Sequence, residues 1–162
     1  MFKIVLISIA TLFCLNLEAK TIDYHKYDKF FYQSAKKYNI PYLVLKTVAM
    51  TENIFFNHDI IKYNKNGTID IGLMQINTIQ IEELSELKLT KDKLMDIEVN
   101  IDTAAYIISK LIISRGYSWK AIGVYHSKTK KHKNKWIKRA KENIQILSKK
   151  EIRKLNENKK SH

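Results

Sequence analysis

The chain has 162 residues, about one domain's worth, and its 45% hydrophobic and 28% charged residues are the balance of a globular protein in water. One Pro and four Gly exclude collagen-like repeats and Pro/Gly linkers, and they argue against a turn-rich all-β fold. The formal net charge of +13 is uneven: residues 1–109 hold 12 Lys/Arg against 13 Asp/Glu, residues 110–162 hold 17 against three, and this basic end points to an anionic partner or surface.

In chain order, Met1-Phe2-Lys3 supplies a positive charge, Ile4 to Leu17 is almost wholly apolar, and Ala19 closes the run with a small residue. This is the pattern of a secretory signal peptide over residues 1–19, with an uncleaved anchor as the alternative. The apolar run falls short of the ~20 residues that a membrane-spanning helix needs. Cys14 is the only cysteine, and cleavage removes it, leaving a mature chain with neither a disulfide nor a thiolate metal site. Export to the periplasm or cell envelope also argues against nucleic acid as the partner of the basic end, and no nucleic-acid-binding motif is present.

From residue 20 onward apolar positions recur mostly at helical spacing, and no internal repeat appears. Phe30, Phe31 and Ala35 predict a helix near 23–38. Pro41 suits a first helical position, and Tyr42, Leu45, Val48, Ala49 and Glu52 share one face of a helix near 41–53. An Asn/Gly-rich loop follows, with a tight turn at Asn66-Gly67. Ile69 to Asn77 is short and β-like or irregular, and Thr78 to Leu87 is helical again. Asn100 is placed as the N-cap of a long helix that Gly116 ends, and Ser118 as the cap of the next, running through Tyr125. After a polar break at 127–134, Ile137, Ala140, Ile144 and Leu147 mark the inner face of a last helix, and residues 148–162 form a basic tail expected to fray. The expected fold is mainly α, a single helical domain over 20–147 with a small β-hairpin or irregular stretch.

Glu52 is the residue at which the pattern turns chemical. A carboxyl group leaving an apolar helix face is partly desolvated, and desolvation favours the protonated form that a general acid needs. Eighteen residues on, Asp70-Ile71-Gly72-Leu73-Met74-Gln75-Ile76-Asn77 combines a permissive Gly, an adaptable Met and two amides that both donate and accept, as sugar hydroxyls and acetamido groups require.

Taken together, Ala49-Met50-Thr51-Glu52-Asn53, Asn66-Gly67-Thr68-Ile69-Asp70, Gly72-Leu73-Met74-Gln75-Ile76-Asn77, Asn100-Ile101 and Ala121-Ile122-Gly123-Val124-Tyr125-His126-Ser127 form an ordered series. The series resembles the soluble lytic transglycosylases of the goose-lysozyme-like superfamily over about residues 28–145. The Tyr-His-Ser ending is similar to the subgroup associated with secretion systems and with conjugation or pilus machinery. The resemblance implies a lysozyme-like domain that cleaves the β-1,4 bond between N-acetylmuramic acid and N-acetylglucosamine in peptidoglycan, without a cofactor. It further implies that Glu52 is the sole acid/base, that Tyr125 reaches toward it, and that Met74, Gln75 and Asn77 lie along the glycan groove, with His126 shaping the groove near Tyr125. Asn53 departs from the family's usual Ser, with an amide that still suits the substrate's acetamido region, and Lys130 replaces a common Pro.

One carboxyl group suffices in such an enzyme, because the muramic acid supplies its own nucleophile. Its 6-hydroxyl attacks C1 and forms a 1,6-anhydro ring, so Glu52 first gives a proton and then takes one back. Asp59 and Asp70 are possible second carboxylates, and either one facing Glu52 would favour a lysozyme-type muramidase instead. A wall-binding accessory with impaired catalysis is a further alternative. No pair of the five histidines has metal-ligand spacing with a nearby acid, so no metal is assigned. The basic end is read as a docking surface for an anionic envelope: wall carboxylates, acidic lipid heads or an acidic partner.

Overall fold

The structure, a computed structural model, describes residues 22–160; the expected signal peptide lies outside the described residues. Helix α1, Asp28–Lys37, is shorter than its predicted span. It leads into α2, Tyr42–Glu52, with Pro41 standing just before the first helical residue. The periodicity gives α2 one inner face, but Val44 to Thr51 are all buried. The helix packs against α1 and α7, and a helix buried on nearly every side belongs in the core.

A small antiparallel sheet follows. Strand β1, Ile61–Tyr63, pairs with β2, Ile69–Ile71, and β2 pairs in turn with β3, Ile76–Asn77. The Asn66-Gly67 turn forms as expected: Gly67 takes φ +81°, and its N–H donates to the Asn64 carbonyl at 3.0 Å. Between β2 and β3 the chain makes a tight buried turn through Gly72 and Met74.

Helix α3, Thr78–Glu83, and a 3-10 turn at Ser85–Leu87 carry the chain to α4, Lys91–Met95, and then to the long α5, Ile97–Arg115. Gly116 ends α5 with φ +77°, and the Ser118 hydroxyl accepts from the Ala121 N–H at 3.2 Å to open α6, Trp119–Ile122. The predicted helix through Tyr125 therefore stops three residues early, and turns carry the chain on to Tyr125.

Asn100 is not the cap of α5. Asp96 holds that position, accepting from the Val99 N–H at 3.0 Å, and Asn100 lies inside the helix. Its buried amide instead ties the turn of the sheet to the helix. Oδ1 accepts from the Met74 N–H at 2.8 Å, and Nδ2 donates to the carbonyls of Ile71 at 3.0 Å and Leu94 at 2.9 Å. Three otherwise orphaned backbone groups are satisfied by one side chain.

The last helix, α7, differs most from expectation. It starts at Lys130, inside the predicted polar break, and continues unbroken to Lys160, through the stretch expected to fray. Trp136, Ala140 and Leu147 are its buried residues, and it packs along α2. The physical reason for the extra turns is a buried cation on α2. Lys46 is 0% exposed, and its Nζ donates to Asp28 at 2.7 Å, to Glu151 at 2.6 Å and to the Tyr42 hydroxyl at 2.8 Å. Lys154 adds a bond to Asp28 at 3.1 Å. Burial alone would raise the Asp28 carboxyl, but hydrogen bonds from Lys46, Tyr42, His25 and Lys154 outweigh it and hold it down to about 2.

Candidate active site

Glu52 is the last residue of α2, and its side chain is 9% exposed at the edge of a groove of about 1070 Å³ between the sheet and the helices. Two groups bond its carboxyl. The indole Nε1–H of Trp136, from the buried face of α7, donates to Oε1 at 2.9 Å. Nδ1 of His126 lies 3.1 Å from Oε1 and 3.3 Å from Oε2. The imidazole ring stacks on the Trp136 indole, with centroids 6.0 Å apart and planes 17° from parallel. Next to Glu52, the Thr51 hydroxyl receives a bond from Asn143 of α7 at 3.0 Å. The carboxyl is thus fixed from one side by a helix that begins some 80 residues later in the chain.

Of the residues expected around Glu52, Gln75, Asn77, Tyr125 and His126 line the same groove. Gln75 sits at φ +52° in the turn after Gly72, and its side chain bonds back to the Gly72 carbonyl at 2.9 Å. Asn77 has a structural duty as well: it caps α3 through the Ile79 N–H at 3.0 Å and donates to Asp70 at 2.6 Å.

Three expectations are placed differently. The Tyr125 hydroxyl donates to the Met74 carbonyl at 2.8 Å, while Trp136 and His126 hold Glu52. Burial pushes this phenol well up, and the nearby charges of Glu52 and Asp70 push it further, so it remains a donor. Met74 is wholly buried beneath the groove floor, outside the groove lining. Asn53 is also buried, and its amide closes the loop after α2, donating to the Asn57 carbonyl and accepting from the Asn57 N–H at 3.4 Å.

The same distinction explains Gly72. The sequence suggests that it lets the backbone approach a ligand, but its neighbour is Asn100: a Cβ on Gly72 would lie 2.4 Å from Nδ2, on a backbone already at φ +72°. The carboxylates divide as well. Asp70 lines the groove, whereas Asp59 pairs with His58 at 2.9 Å outside the groove lining.

Trp136 is the contact that sequence reasoning missed. Its spacing from Ala140 and Leu147 places it on the inner face of α7, but its N–H partner lies 84 residues away. His25, Asp28 and Glu151 also come together with the donor types of a metal site. The Lys46 ammonium lies among them, 3.3 Å from His25 and bonded to both acids, so the cluster is an ion-pair network with its own cation.

A helical body, a three-stranded sheet and a clamped, nearly buried carboxyl group between them at a groove define a lysozyme-like domain. The comparison with protein families agrees: the transglycosylase SLT domain matches residues 29–148, and the chain belongs to that family. It is 31% identical to protein IpgF of Shigella flexneri over 104 residues, covering 64% of this chain and 68% of IpgF. It is 32% identical to the invasion protein IagB of Salmonella typhimurium strain LT2 over 98 residues, covering 60% of this chain and 61% of that protein.

Proposed function

We propose that this protein is a peptidoglycan lytic transglycosylase, with Glu52 as its sole general acid/base. The observation that carries the reading is the Glu52 carboxyl itself, 9% exposed, clamped by Trp136 and His126, and facing a groove of about 1070 Å³. Protonated Glu52 gives its proton to the glycosidic oxygen as the C1–O bond breaks. The carboxylate then takes the proton of the muramic acid 6-hydroxyl as the C1–O6 bond closes the anhydro ring, so no water and no cofactor are consumed. Gln75 and Asn77 offer amides to the sugar along the groove, and Tyr125 supports its floor through Met74.

The place of action we infer is the periplasm or cell envelope, in the service of a secretion or pilus system. The family's glycan substrate and a relative named as an invasion protein support this placement. The basic outer face of α7 fits contact with an anionic envelope surface.

Mature protein incubated with peptidoglycan should release 1,6-anhydromuramic products by mass spectrometry, and Glu52→Gln should abolish them with the fold intact. Activity surviving in Glu52→Gln would mean that the acid is another residue. Asp70 in the same groove favours a second reading, the lysozyme-type muramidase, whose products carry one added water. Glycan binding with neither product would favour a wall-binding accessory.

A further inference from the structure

The two groups on Glu52 differ in what they can do. An indole N–H only donates, whereas a neutral imidazole nitrogen donates or accepts according to its tautomer. Trp136 is completely buried and has no other donor to offer, so Oε1 is a standing acceptor. A carboxylic acid accepts better at its carbonyl oxygen than at its hydroxyl oxygen, which leaves the proton to Oε2.

We propose that Trp136 is a positioning residue that gives the two oxygens of Glu52 different tasks: Oε1 anchors the group, and Oε2 carries the proton to and from the glycan. This rests on the transglycosylase reading. A two-step reaction through one carboxyl group needs a carboxyl oxygen in the same place twice, first as O–H and then as O⁻. The two oxygens of the ionised group are equally basic, so their exchange is harmless, but a rotation of the carboxyl plane between the steps would leave neither in line with the 6-hydroxyl. Trp136 blocks that rotation, because its N–H has Glu52 Oε1 as its acceptor and the ring cannot turn inside the core.

His126 complements it. Nδ1 reaches both oxygens, and its side chain is 32% exposed, so it exchanges its own proton with water. An N–H at Nδ1 steadies the carboxylate left after the glycosidic oxygen takes its proton, and that charge disappears when the 6-hydroxyl proton arrives. Glu52 and Asp70 both act on the Tyr125 phenol. Tyr125 is neutral and committed to Met74.

The test separates the hydrogen bond from the packing. Trp136→3-benzothienylalanine keeps the bicyclic shape and replaces the N–H by sulfur; Trp136→Phe is the genetically encoded companion. Both should lower kcat on solubilised glycan strands about 10- to 100-fold, the size of a lost bond to a charged group, with KM changed less than about twofold. In the benzothienyl variant the melting temperature stays near that of the parent, so the lower kcat reports the lost hydrogen bond and not a lost fold. Parental kcat in the benzothienyl variant would overturn the proposal, even if Trp136→Phe were impaired by its cavity. Failure of the underlying transglycosylase reading shows separately, as hydrated products or as activity in Glu52→Gln.

Discussion

At the scale of single residues, the candidate groove depends on residues outside its lining. Asn100 makes two bonds to the backbone of the turn carrying Gln75 and a third to the Leu94 carbonyl of α4, and Gly72 is small enough to admit its amide. Asn100→Ala leaves a buried N–H and two carbonyls without partners and should cost about 3 kcal/mol in urea unfolding. Gly72→Ala should cost about 2 kcal/mol, from overpacking against Asn100 and from its left-handed backbone. Both should lower turnover more than glycan binding, since they move the turn beside Glu52. The sequence reading gave Asn53, Met74 and Gly72 to the ligand. Small amides, an adaptable Met and a permissive Gly suit a binding groove and a buried turn equally well, and periodicity alone does not separate the two. Glu52, Gln75 and Asn77 were legible because their chemistry and spacing coincide with an ordered motif.

At the scale of elements, α2 and α7 form the unit that matters. Each contributes one partner to the carboxyl clamp at one end and to the Lys46 network at the other. The helical periodicity of α1, α2 and α5, the Asn66-Gly67 hairpin, the stop at Gly116 and the cap at Ser118 were readable because each is a local signal. The extension of α7 through residue 160 was not, because Ser148 to Lys160 is mostly polar and charged, and its order comes from Glu151 and Lys154 meeting residues on α1 and α2. Asp28 is held at about 2, below its unfolded value of 3.8, so its stabilising contribution is complete above pH 4 and lost as the pH falls toward 2. Thermal melts should record this loss. Lys46→Met strands two half-buried acids and should destabilise the protein by about 3–5 kcal/mol at neutral pH. Its acid dependence should then reverse, with mild acid restoring stability by neutralising those acids; a melt for the variant that falls with acid in parallel with the parent would refute this account of the network.

Across the whole molecule, the +13 charge gathers mainly on the outer face of the element that holds the site. Helix α7 carries 13 Lys/Arg and three Glu, and Lys131, Lys135, Lys138, Lys149 and Arg153 are exposed along it. Simple truncation is a poor probe of this surface, since removing residues 148–162 also takes Glu151 from Lys46 and Lys154 from Asp28. That truncation should lower the melting temperature by several degrees and reduce turnover and wall association together. Reversing Lys138, Lys149 and Arg153 to Glu leaves the network in place. It should weaken sedimentation with isolated cell walls at low salt, with little change in turnover on short soluble glycans.

The clamp on Glu52 also fixes the order in which the molecule is completed. A chain made from its N-terminus presents Glu52 well before its partners: Trp136 comes 84 residues after Glu52, and Glu151 comes 105 residues after Lys46. Until then the carboxyl group has no fixed orientation and α2 carries an uncovered ammonium in what will become the core. The clamp is therefore assembled after the acid it holds, and on the transglycosylase reading a chain still lacking α7 has its acid but not the geometry to use it. Such a chain would be silent until α7 packs against α2.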